Sequence, residues 1–132
     1  MTIDLQLVTY ATLLTWIMVV CAGLIRTKVW TPAGLKTAFG NRHDIAEPPE
    51  WIARVDRAAK NMLENFPLFV ALVAVAHLGN RHGDRVDLGA QLFFWGRVAY
   101  WPVYVAGIAY LRTAIWGLSI VGLGLIFSAV IA

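Results

Sequence analysis

A chain of 132 residues that is 59% hydrophobic and only 14% charged departs from ordinary soluble domains, which are about 45–50% apolar and about 25% charged. A sphere this small leaves most residues near its surface, so the apolar excess must face lipid; a soluble enzyme, a disordered tail and a nucleic-acid-binding domain are excluded despite an isoelectric point near 9.4. Lys and Arg number 11 against 8 Asp and Glu, too small an excess for a phosphate-binding stripe, and the single Cys21 excludes an intramolecular disulfide or a cysteine metal cluster.

Crossing a bilayer core of about 30 Å takes about 20 apolar helical residues. Four stretches qualify, about 5–25, 61–80, 88–111 and 113–132, within one domain. Backbone groups in lipid must be satisfied internally, and the stretches lack strict alternation, so they read as helices. The expected fold is an all-α, four-transmembrane-helix bundle. A signal peptide is the alternative for the first stretch, but its n-region holds Asp4 and no basic residue, and no A-x-A cleavage site follows.

Seven basic residues lie between Arg26 and Lys60, and Arg112 falls on the same side, against Arg81 and Arg85 opposite. By the positive-inside rule the long first loop is cytoplasmic and both termini are outside. Pro49 and Glu50 suit the start of the second long helix. The third and fourth stretches meet around Leu111-Arg112-Thr113, which predicts a tight helical hairpin there.

Ionisable groups at membrane depth are functional candidates by default. Arg54, Arg57, Asn61 and Glu64 share one face of the second long helix, and Pro67 lies just beyond them. The third stretch carries Arg97, then Tyr100 or Trp101, then Tyr104. An antiparallel neighbour brings Glu64 or Asn61 within reach of Arg97 or Tyr104. Two readings stay open: a binding site, or a structural Arg97–Glu64 ion pair with Asn61 and Tyr104 as hydrogen-bonding glue. Arg54 and Arg57 read as headgroup residues and Arg26 as a membrane anchor. His43, His77 and His82 are scattered, so no metal site is expected. Gly117, Gly122, Gly124, Ser119 and Ser128 give the fourth stretch small faces for close helix approach.

Taken together, Arg54-x-x-Arg57-Ala58-x-x-Asn61-x-x-Glu64, Gly23-x-x-Arg26, Ala38-Phe39-Gly40-Asn41, and Arg97 with Tyr104 resemble the MAPEG family, the membrane-associated proteins of eicosanoid and glutathione metabolism. The resemblance covers nearly the whole chain. It implies a homotrimer in the bacterial inner membrane, with glutathione as co-substrate held between neighbouring subunits near the cytoplasmic side. It also implies roles for Arg26, Lys60, Asn61, Glu64 and Tyr104 in binding the peptide. On that basis Arg57 is expected to join Lys60 and Arg26 at the carboxylates, and Arg97 or Arg112 to stabilise the thiolate. Lipids and a lipophilic electrophile are the expected partners.

Two positions depart from the family pattern. Trp116 and Gly117 stand where members place a thiol-activating Arg and, in some, Ser; Ala59 stands where some carry His. A thiolate needs a nearby cation to form near neutrality. The alternatives are therefore a non-catalytic scaffold, a lipid-binding protein or an accessory subunit, and a transporter using Glu64 as a proton-coupled carboxylate.

Overall fold

The structure is a computed structural model that describes residues 1–42 and 47–132; of the three histidines, His43 lies outside them. Five helices follow in chain order: α1 (Ile3–Thr27), α2 (Pro32–Phe39), α3 (Glu50–Leu78), α4 (Asp84–Ala106) and α5 (Ala109–Ile131). Among the described residues all regular structure is helical. Three helices, α1, α3 and α5, are long and apolar enough to cross a membrane. The fourth long helix, α4, has 23 residues but carries Asp84, Arg85, Asp87 and Arg97, which lower its apolarity.

Helix α2 is a short element within the long first loop, additional to the four expected helices. Its local cause is simple: Thr31 caps it by accepting from the Gly34 amide at 3.0 Å, and Pro32 supplies the first helical residue. Helix α3 starts as expected at Pro49–Glu50 and runs through Pro67 without ending.

The α4–α5 connection falls earlier than expected. It lies at Gly107–Ile108, not around Leu111-Arg112-Thr113. Gly107 adopts φ 80°, and its amide and that of Ile108 close onto the carbonyls of Tyr104 and Val103. A glycine takes this left-handed cap without the Cβ clash that opposes other residues. Arg112 thereby moves from the hairpin tip into the first turns of α5.

The small residues of α5 divide by face. A Cβ on Gly122 would lie 2.5 Å from the Gly89 carbonyl oxygen, and one on Gly96 would lie 2.5 Å from Ser119 Oγ. Gly122 and Ser119 therefore seat α5 directly against α4. Gly117 and Gly124 meet nothing within 4 Å, so they play no part in this crossing.

Deeper in the bundle, Phe69 of α3 stacks on Phe93 of α4 with centroids 4.2 Å apart. Met18, Met62 and Ile126 are likewise fully buried. Trp16 and Trp95 are 67% and 60% exposed, which removes them from the core and leaves them to lipid or a neighbouring chain.

Candidate functional site

A cavity of about 410 Å³ opens at one end of the α3–α4–α5 wedge. Arg57, Lys60, Asn61 and Glu64 line it from α3, Tyr100 and Tyr104 from α4, and Arg112, Thr113 and Trp116 from α5. Three cations thus face one carboxylate across two phenols and an amide. The size falls within the roughly 300–1,000 Å³ of small-molecule sites.

Each lining residue arrives there for a local reason. Arg57, Lys60, Asn61 and Glu64 recur at steps of three and four along α3 and so share one face. Tyr104 sits at the last turn of α4 because Gly107 ends the helix there. Its hydroxyl accepts from Arg57 Nε at 3.2 Å, while the Arg112 guanidinium carbon lies 4.6 Å from its ring centroid. One phenol therefore orders two cations from two different helices.

Arg97 is placed otherwise. It is 1% exposed and does not line the cavity. Its Nη1 donates to Asn61 Oδ1, and its guanidinium carbon lies 5.3 Å from the Phe93 and Tyr100 centroids. Nε and Nη2 have no hydrogen-bond partner. The expected Arg97–Glu64 ion pair does not form. Asn61, half-buried, takes the guanidinium, while Glu64 is exposed and faces the cavity.

Arg54 also differs from its headgroup reading. It is half-buried, and its Nε donates to the Val105 carbonyl at 3.0 Å, a cation at the C-terminal end of α4 where free carbonyls and the helix dipole favour it. Arg57, exposed, bonds Glu50 at 2.6 Å as well as Tyr104.

Arg26 is not brought to the cavity by its own chain. It pairs with Asp56 of α3 and lines a separate groove with Thr27, Lys28 and Pro49. Of the eight residues singled out from sequence, Arg57, Lys60, Asn61, Glu64, Tyr104 and Arg112 converge. Arg97 supports the floor and Arg26 lies apart. Tyr100, Thr113 and Trp116 complete the wall; the i, i+4 spacing of Arg112 and Trp116 carries that signal once the α5 start is fixed at Ala109.

Two histidines read as scattered also come together, at the other end of the bundle. The rings of His77 and His82 stand edge to face, 5.3 Å between centroids, and one nitrogen of each lies within 4.8 Å of an Asp4 carboxylate oxygen.

A chain whose described residues form only helical regular structure, with three helices long and apolar enough to cross a membrane, is an integral membrane protein, here with a charged cavity at one end of the bundle. The MAPEG family model matches residues 5–132, and the chain belongs to the MAPEG family. No curated protein and no solved structure matches the chain. Membership sets the chain among membrane proteins of eicosanoid and glutathione metabolism.

Proposed function

We propose that the cavity binds glutathione and that the protein conjugates it to, or uses it to reduce, a lipophilic electrophile entering from the bilayer. The observation that carries this reading is the convergence of Arg57, Lys60 and Arg112 with a single carboxylate, Glu64. Glutathione in its thiolate form carries two carboxylates, one thiolate and one ammonium, so its charges mirror those of the wall. Lys60 and Arg57 take the carboxylates, with Arg57 exchanging Glu50 for the ligand. Glu64 takes the ammonium, and Asn61 and Tyr104 supply hydrogen bonds.

Arg112 stabilises the thiolate. Family members place the activating Arg where this chain has Trp116, but Arg112 lies one turn earlier on the same face of α5 and already packs over Tyr104. The thiol proton having left to water, attack of that thiolate forms a sulfur–carbon bond. The electron pair leaves with a displaced group or passes to the acceptor atom of an opened double bond, which takes a proton from water. In reduction of a hydroperoxide the thiolate instead attacks oxygen, and the O–O bond breaks to release the alcohol. A second glutathione then converts the sulfenic acid to the disulfide and water. Arg97 acts through Asn61, whose amide it fixes from behind.

Arg26, which does not line the cavity of its own chain, completes the site from a neighbouring copy in a homotrimer, exchanging Asp56 for the ligand. The cavity end faces the cytoplasm of a bacterial inner membrane and the termini lie outside. A second reading, a non-catalytic scaffold, lipid-binding protein or accessory subunit, is favoured by Trp116 and Gly117 in place of an Arg-led site.

The test is thermal unfolding of the detergent-solubilised protein with and without millimolar glutathione. A ligand at 100 times its dissociation constant stabilises by about 2.7 kcal/mol. A raised midpoint in the wild type that vanishes in Glu64→Gln supports the assignment; an unchanged midpoint in the wild type rejects it.

A further inference from the structure

We propose that Asp4, His77 and His82 form a site for one divalent transition-metal ion, zinc in the first instance, at the end of the bundle away from the glutathione cavity. The three residues come from three places in the chain: the first turn of α1, the last turn of α3, and the connection to α4. One ligand atom from each lies within 4.8 Å of the other two.

The imidazole spacing fits a shared ion. With metal–nitrogen bonds of about 2.0–2.1 Å, two imidazoles on one tetrahedral centre have ring centroids about 5 Å apart. His77 and His82 stand at 5.3 Å. Both are exposed, so their rings turn freely enough to close the remaining distance to the carboxylate.

Asp4 supplies the independent observation. It is 1% exposed, and neither carboxylate oxygen has a hydrogen-bond partner. A buried carboxylate is ordinarily paired or coordinates a metal. Among the described residues no cation pairs with it; the neighbouring basic residues Arg81 and Arg85 are exposed and form no salt bridge to it. Asp87, half-buried in the first turn of α4, is near enough to interact with Asp4 and His82 and adds negative charge beside them. An ion of charge two placed between Asp4 and the imidazoles satisfies the orphaned oxygens.

Two imidazoles and a carboxylate suit zinc and its first-row neighbours rather than calcium or magnesium. Three protein ligands leave a fourth position for water. The ion clips the start of α1 to the α3–α4 connection. At 1.5 Å per residue, His77 lies about 24 Å along α3 from Asn61, so metal binding and glutathione binding are separable.

The experiment titrates the metal-free, full-length protein in detergent with zinc alone, by calorimetry, and collects X-ray absorption spectra of the loaded form. The expected result is one ion per chain, nitrogen and oxygen ligands at about 2.0–2.1 Å, and at least a 100-fold loss of affinity in His77→Ala, His82→Ala and Asp4→Asn. Zinc also raises the unfolding midpoint of the wild type and not that of His82→Ala. His82 is exposed outside the helices, so its variant decides the matter if Asp4→Asn fails to fold. Sulfur in the ligand shell, affinity undiminished in both histidine variants, or no binding below about 100 μM overturns the proposal.

Discussion

Asn61 of α3 accepts a hydrogen bond from the buried guanidinium of Arg97 on α4, so Arg97 meets α3 through a hydrogen bond and not an ion pair. Arg97 keeps two nitrogens unpartnered between the rings of Phe93 and Tyr100. Its contribution to stability is therefore packing offset by desolvation, while its contribution to the cavity is the fixed orientation of the Asn61 amide.

That balance predicts different outcomes for two substitutions. Arg97→Met fills the same space without a buried charge and is expected to stay within about 1 kcal/mol of wild-type stability. Arg97→Ala leaves a cavity between the two rings and costs about 2–4 kcal/mol. Both free the Asn61 side chain, so both weaken glutathione binding several-fold. Chemical denaturation beside ligand titration checks the pair. Loss of stability in Arg97→Met equal to that in Arg97→Ala contradicts the account.

Arg112 is expected to lower the pKa of the bound thiol. A cation near a thiolate favours the charged form, so the titration of bound glutathione falls below the ordinary thiol value of about 8.5 by about one unit or more. Thiolate absorbance in the ultraviolet follows it directly. In Arg112→Ala the midpoint returns toward the free value, and conjugation at neutral pH slows by about tenfold for each unit lost. An unchanged midpoint assigns the activating role elsewhere.

The glycines of the α4–α5 crossing separate by contact. Gly122→Val drives side-chain atoms against the Gly89 carbonyl and is expected to destabilise by about 1–3 kcal/mol or more. Gly124→Ala and Gly117→Ala enter open space and stabilise the helix by about 0.5–1 kcal/mol each. Thermal unfolding orders the three. The same ranking in reverse excludes this crossing.

Much of this arrangement is legible in the sequence. The apolar stretches locate the long helices, since length and hydropathy act on whole segments, and the three- and four-residue spacing of Arg57, Lys60, Asn61 and Glu64 places them on one face. The hairpin is misplaced because charge at Arg112 suggests a loop, whereas the backbone break needs the left-handed conformation that Gly107 adopts. The partner of Arg97 is not legible, because one helical turn decides between Asn61 and Glu64 and depends on how far α3 slides along α4. Asp4 and the two histidines are invisible to spacing, since their meeting depends on the return of α3 beside α1.

Whether Glu64 holds the ammonium of glutathione tests the central claim most directly. Affinities for glutathione and for its N-acetyl derivative, which lacks that charge, are measured by calorimetry on the wild type and on Glu64→Gln. A hydrogen bond to a charged group contributes about 1.5–3 kcal/mol, so the wild type is expected to prefer glutathione by about tenfold or more, and Glu64→Gln to bind both ligands alike. Equal affinity of the wild type for the two peptides, or a preference that persists in Glu64→Gln, contradicts the assignment.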